Sequence, residues 1–312
     1  MVVVCGEALV DMLPATCAGG DGYVARPGGS PCNVTVGLAR LDVPAAFLGR
    51  VSTDPLGGLI RRHLGSNGVD LRSVRDGSEL TTLGFVHEPD GGDVQYRFYA
   101  ENSADRNLTR SDLPATLGPE VAALHFGSIS LVLEPVASAL EHLMQRERGA
   151  RVIALDPNVR PQLIDRPAAY RARLEGMVAL ADVVKLSVAD SAWLYPGVPV
   201  DAVAGRWLGL GPALVLVTLG AGGSTAHGRS GTAAAPAVPV RVVDTVGAGD
   251  AFSAASLDWL HRHGRLNGAA LASLREPDLT ELLCYANGVS ALTCARAGAD
   301  PPTRREVDAF SG

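Results

Sequence analysis

The chain has 312 residues, of which 47% are hydrophobic and 19% charged, with a formal net charge of -6. That is ample apolar material for one large buried core, and the acidic balance offers no basic face to nucleic acid or anionic lipid. No apolar run is long enough to span a bilayer, and five scattered cysteines without a CxxC pair (Cys5, Cys17, Cys32, Cys284, Cys294) predict reduced thiols, no metal site of the usual cysteine spacing, and a cytosolic setting.

The opening "MVVVCGEALVDMLP" has no basic leader and is interrupted by Glu7 and Asp11. It reads as a buried strand rather than a signal peptide. Residues 14–29 form a glycine-rich stretch read as irregular, followed by a helical pattern over 33–41. The run "AAFLGRV" and a helix over 55–64 come next. From Leu80 to Tyr99 two β-rich runs flank Pro-Asp-Gly-Gly, a hairpin signal. Further apolar runs are "VAALHFGSI", "RVIALDPN", "DVVKLS" and "ALVLVTLG", with helical spacing over 134–145, 168–180 and 279–294. Strands alternating with helices predict a parallel sheet covered on both faces, with ligands outside the carboxyl ends of its strands. The hairpin predicts a small extra sheet over that edge. Residues 233–239 carry prolines that exclude a central strand. His125, inside an apolar run, reads as a satisfied core histidine, and the cysteines as core filler. Lys185 is the only lysine.

The most informative stretch is "VVDTVGAGDAFSAASLDWL", starting at Val242. Three readings compete for Gly247 to Asp250. Asp250 could be a helix N-cap. A dinucleotide fingerprint fails, because its third glycine would fall at Phe252. In the third reading the amides from Val246 to Asp250 converge on an anion at a helix N-terminus. A carboxylate beside a phosphoryl group is repulsive unless it takes a proton from an attacking hydroxyl. There is no GxxxxGK[ST] and no HRD or DFG set, so P-loop and protein-kinase machinery are excluded.

"VDTVGAGDAF" resembles the second signature of the ribokinase-like (PfkB-type) carbohydrate kinases, and "PGGSPCNVTVGLARL" (27–41) resembles the first. "GRVSTDPLGGLIRRHLGSNGVDL" (49–71), "DPNVRPQLI", "VKLS" and "VTLGAGG" follow in the family's order. The wording is nearest to bacterial fructokinases. The resemblance implies a three-layer α/β/α fold, one kinase domain over 1–312, and a β lid from about 12–30 and 80–102. It implies an ATP-dependent kinase acting on a hydroxymethyl group of a small sugar, with Mg²⁺, K⁺ as a further cofactor, and a homodimer joined through the lids. By the same resemblance Asp250 is the base, and Gly247, Ala248 and Gly249 offer amides to the transferring phosphoryl. Asp11, Gly28, Gly29, Asn33, Glu101 and Arg160 would face the sugar. Asn158, Lys185, Thr218, Gly220, Gly223 and Asn287 would face the nucleotide. Asp244, Val246, Arg296 and Gly298 would bound a monovalent-cation site. Blander readings stay open: Asp11 capping a turn, Asn33 capping the helix that follows, Arg160 solvated, and Lys185 snorkelling from a strand end.

The chain departs from the family at two places. The usual NxxE motif has Lys185 at its asparagine and Val188 at its glutamate. Valine cannot orient a hydrated Mg²⁺; Asp190 could substitute, or the ion is left to phosphates and water. Where fructokinase-like members carry an arginine before Ser/Thr-Ala-Asp, this chain has Glu101, which weighs against sugar acids and weakens the fructose assignment. Alternatives are a 2-keto-3-deoxygluconate or nucleoside kinase, and a catalytically weak sugar- or nucleotide-binding regulator.

Overall fold

The computed structural model describes residues 1–17, 20–87 and 95–311. In chain order its elements are β1 (Val2–Cys5), β2 (Leu9–Cys17), β3 (Gly20–Gly28), α1 (Ser30–Arg40), β4 (Ala45–Ser52), α2 (Pro55–Ser66), β5 (Val74–Gly77), β6 (Leu83–His87) and β7 (Gln95–Tyr99). Then follow β8 (Ala123–Gly127), α3 (Val136–Glu147), β9 (Val152–Asp156), α4 (Pro167–Val178), β10 (Val183–Ser187), α5 (Val188–Leu194), α6 (Val200–Leu210) and β11 (Leu214–Thr218). The chain closes with β12 (Ser224–Gly228), β13 (Gly231–Ala235), α7 (Ala248–Arg262), α8 (Gly268–Ala272), α9 (Glu276–Cys294) and α10 (Arg304–Ser311).

Nine strands form the main sheet in the order β13-β12-β11-β10-β9-β8-β1-β4-β5. From β11 to β5 every pairing is parallel, and only β12 and β13 run antiparallel at one edge. The short apolar strands are buried on both sides, as continuous runs of Val, Leu and Ile require. One face packs a cluster around Phe126, Leu140, Leu174 and Trp207. The other packs Val4, Leu38, Phe252, Trp259 and Leu283. The expected α/β architecture, mostly parallel with a small second sheet, is therefore present.

The second sheet has the order β3-β2-β6-β7. Residues 14–29, expected to be irregular, pair instead as the antiparallel β2–β3 arm, from Leu9 opposite Gly28 to Cys17 opposite Gly20. The glycines weaken local strand propensity, but cross-strand pairing overrides it. β6 and β7 pair antiparallel as the hairpin signal implied; its Pro-Asp-Gly-Gly turn lies outside the described residues. Residues 233–239 split: β13 is an edge strand that stops at Ala235, just before Pro236.

Helix starts differ from the sequence reading. α1 begins at Ser30 with Gly29 at its N-cap, so Asn33 lies inside the first turn and does not cap it. α9 begins at Glu276, three residues before the expected 279. His125 is buried, but among the described residues neither ring nitrogen has a hydrogen-bond partner, contrary to the satisfied core histidine expected. Burial and the nearby Lys185 charge push its pKa down to about 3, so the ring stays neutral. Cys5 and Cys32 are buried filler; Cys284 is exposed and Cys294 half-buried. The side chain of Cys17 lies outside the described residues.

Candidate active site

A cleft of about 260 Å³ opens where the C-terminal ends of β1 and β9 meet the second sheet and the N-termini of α1 and α7. This is the position the switch-point rule assigns to ligands. Its walls carry Asp11, Asn33, Asn158, Arg160, Lys185 and Asp250, together with the Val246–Gly247 and Gly249 backbone.

Asp250 is the third residue of α7 and does not cap it; the N-cap is Gly247, with φ 77, in the left-handed region. A Cβ on Gly247 would also meet Ala299 at 2.7 Å. The turn therefore needs glycine for both conformation and room. Asp250 is 7% exposed. Its Oδ1 accepts from Ser30 Oγ at 2.6 Å, and its Oδ2 from Asn33 Nδ2 at 2.8 Å. Asn158 Nδ2 stands 3.5 Å from Oδ1. Burial raises the Asp250 carboxyl above the usual range, against the pull of Ser30 and Asn33; the charge of Asp156 adds to the rise. Helix α1 thus serves the carboxylate with two donors from one turn.

Asp11 sits on β2, in the second sheet, rather than at the end of the first strand. Glycines make room for it on two neighbours. A Cβ at Gly28 would fall 2.0 Å from Asp11 Oδ2, and one at Gly84 would fall 2.7 Å from Oδ1. Burial pushes Asp11 up to about 7; Arg160 opposes this and Asp250 adds to it. Asn158 holds φ 40, uncommon for a non-glycine residue. Its carbonyl and side-chain oxygens accept from Arg160 Nη1 at 3.0 and 2.5 Å.

Lys185 does not snorkel. It is 7% exposed, and its Nζ pairs with the fully buried Asp156 Oδ2 at 3.0 Å. Burial alone would lower its pKa, but Asp156, Asp190 and Asp250 hold it above the usual lysine range. The ammonium lies under the glycine turn: a Cβ at Gly249 would come within 3.0 Å of it. Val188 is 43% exposed at the start of α5. Asp190 accepts the Val159 amide at 2.9 Å and is 8% exposed, so it holds the Asn158–Arg160 loop and is not presented as a metal ligand. Among the described residues, no group of three or more His, Cys, Asp or Glu could hold a metal ion.

Other expected residues gather away from this cleft. Thr218, Gly220 and Gly223 lie at the C-terminal end of β11, where Leu219 N bonds Gly223 O at 2.8 Å. Asn287 joins them through Ser224 Oγ at 2.9 Å. Its amide donates to the Ala235 and Pro236 carbonyls, so its side chain pins β13 to α9. Glu101 is exposed in the turn after β7 and does not line the cleft; Phe98 does. Asp244 accepts the Val246 and Gly298 amides at 2.9 and 2.7 Å, tying the two segments expected around a cation. Arg296 is committed to Glu306, at 2.7 Å. Sequence reasoning missed Ser30, Asp156, Phe98 and Glu7. Ser30 and Asp156 were inside quoted motifs, but nothing local told which side chains turn inward.

Residues 1–305 match the model of the pfkB family carbohydrate kinases. The chain belongs to that family. As a PfkB carbohydrate kinase it is 39% identical over 280 residues to a fructokinase of Rhizobium leguminosarum bv. trifolii, covering 89% of this chain and 85% of that one. It superposes on the ATP-bound fructokinase of Xylella fastidiosa with a TM-score of 0.90 at 28% identity, over 99% and 97% of the two chains. A double mutant of the Vibrio cholerae O395 fructokinase, bound to fructose, ADP and potassium ion, gives 0.85 at 28% identity over 99% and 97%.

Proposed function

We propose that this PfkB kinase is a fructokinase, transferring the γ-phosphoryl of ATP to a hydroxymethyl oxygen of fructose. The observation that carries the reading is the buried Asp250 carboxylate, fixed by Ser30 and Asn33 beside the amides of Gly247 and Gly249, in the same cleft as Asp11. Relatives named for fructose support the sugar.

In the proposed reaction the sugar hydroxyl attacks the γ-phosphorus in line. The O–P bond to the sugar forms as the bond to the ADP oxygen breaks, and Asp250 receives the hydroxyl proton. Amides of the glycine turn donate to the phosphoryl oxygens as charge develops there. Lys185 adds a fixed positive charge beneath the turn. Asp11 accepts from two sugar hydroxyls, and Asn158 and Arg160 border the phosphate side. Mg²⁺, bound with ATP, would supply neutralisation of the phosphate charge. This chain is suited to an ion held by phosphates and water, since the Val188 side chain offers no oxygen and Asp190 is engaged. The second sheet acts as a lid that keeps water from ATP. Thr218, Gly220, Gly223 and Asn287 form the nucleotide side. K⁺ would sit between the Asp244 and Arg296–Gly298 segments, held by backbone oxygens. The lid exposes Tyr23 (52%) and Tyr99 (60%) around an edge-to-face stack on Phe85, an apolar face suited to a second copy in a homodimer. No helix of the described residues is long and apolar enough to cross a membrane, and a cytoplasmic setting fits the free thiols.

The test is ADP release over fructose, ribose, 2-keto-3-deoxygluconate, adenosine and inosine. Fructose should give the highest kcat/KM. Preference for a sugar acid or a nucleoside refutes the assignment, and sugar-induced thermal stabilisation without ADP release supports a binder. Asp250→Asn should lower kcat by about 10²–10⁴-fold with fructose binding retained.

A further inference from the structure

Glu7 carries a role that neither the motifs nor the proposed reaction uses. It leaves β1 through Gly6 and enters β2 in extended backbone, where side chains alternate between faces. Ala8 and Val10 point into the cluster with Cys32, Phe47 and Ile60. Glu7, Leu9 and Asp11 share the opposite side, and all three line the cleft. Gly29, at φ 94, leaves the room: a Cβ there would press within 3.2 Å of the Glu7 Cγ.

Glu7 is 2% exposed. Its Oε2 accepts from the Ser130 amide at 3.2 Å and from the Ser130 hydroxyl. Its Oε1 has no hydrogen-bond partner among the described residues. A buried carboxyl with an open bonding position is costly to keep. The two oxygens of a carboxyl exchange readily, because its terminal torsion is broad and two-fold. Either can therefore face a group brought into the cleft. Oε1 is closed to solvent in this conformation, with the Ser128 hydroxyl close by, so a rotation of the carboxyl is what would present an oxygen to a ligand hydroxyl.

We propose that Glu7 is a sugar-specificity residue, hydrogen-bonded through its open position to a substrate hydroxyl other than the one Asp250 deprotonates. The inference rests on the sugar-kinase reading. It assigns recognition of a neutral polyol to two carboxyl groups on one strand face, Glu7 and Asp11. Ser130 holds Glu7 in place.

The experiment uses the full chain, fructose, and the single-deoxy analogues of fructose, each varied against ATP. Glu7→Gln should raise the fructose KM about tenfold or more and leave the ATP KM within about twofold. One deoxy analogue, poor with the native enzyme, should lose less than the other analogues do in Glu7→Gln, because the uncharged carboxamide is already a weaker partner for the missing hydroxyl. Deoxy penalties identical in both enzymes for every analogue overturn the proposal, as does a KM change shared equally by fructose and ATP. Should Glu7→Gln not fold, Ser130→Ala carries the test. It loosens the carboxyl and should raise the fructose KM about threefold at native ATP KM; an unchanged fructose KM overturns the proposal. A native enzyme that turns over none of these sugars is a failure of the functional reading itself. Native turnover with an unaffected Glu7→Gln overturns Glu7 alone.

Discussion

Replacing Lys185 by Met removes one half of a buried ion pair. Asp156 is fully buried; its Oδ2 contacts are Lys185 Nζ at 3.0 Å and Ser253 Oγ at 3.2 Å, and its Oδ1 has no partner among the described residues. Lys185→Met therefore leaves an uncompensated carboxylate, which costs about 3–5 kcal/mol. With an unfolding entropy of about 2.1 cal/mol/K per residue, a chain of 312 residues loses about 1.5 °C of Tm per kcal/mol. The expected fall is about 5–8 °C. Removing both charges, in Lys185→Met with Asp156→Leu, should restore a good part of it, since apolar groups of similar volume can replace a buried pair at little cost. The assay is a double-mutant cycle of thermal melts followed by circular dichroism. A double variant whose destabilisation equals the sum of the singles within about 0.5 kcal/mol refutes the reasoning, because the charges would then not be supporting each other.

Gly28→Ala should cut kcat/KM for sugar about 100-fold at unchanged ATP KM, because its Cβ lands 2.0 Å from Asp11 Oδ2; steady-state kinetics with each substrate varied checks it. Asp11 is raised to about 7 and Asp250 is raised as well. Both act as carboxylates, so log kcat/KM for sugar should fall as pH drops below about 7, with a slope between about one and two. A flat profile down to pH 5 contradicts this. Stability has the opposite sign. Glu7 and Asp11 bind their protons more tightly when folded, so the stability they contribute below about pH 4 is lost as pH rises towards 7; melts across that window without sugar measure it. Val188→Glu should lower the free Mg²⁺ giving half-maximal rate roughly tenfold, the scale of an outer-shell partner, as a Mg²⁺ titration at fixed ATP would record.

The fold was legible because long apolar runs alternated with helical spacing, and the six quoted motifs fell in order. The β2–β3 arm was not, because its pairing depends on a partner strand and its own residues are poor strand formers. At the site, Asp250 was legible from the glycines before it, and Asp11 from its place after an apolar run. Ser30 and Asp156 were not, since their importance lies in contacts 220 residues away, to Asp250, and across neighbouring strands, to Lys185. Glu7 was visible as an interruption in an apolar segment, but only the alternation of faces with Asp11 says where it looks. The expectation for Glu101 failed for a related reason: a turn after a strand exposes its residues whatever the preceding motif suggests.

The solitary lysine makes this kinase unusual as a chemical object. Apart from the α-amino group of Met1, which bonds the Glu120 carbonyl at 3.0 Å, the only primary amine in the sequence is Lys185 Nζ, inside the cleft. An acylating label that ignores guanidinium groups has no other ε-amine to find. Because that amine is nearly buried, paired with Asp156 and held protonated, the folded enzyme should resist acylation, and peptide mapping of the Lys185 adduct would report opening of the site rather than its occupancy.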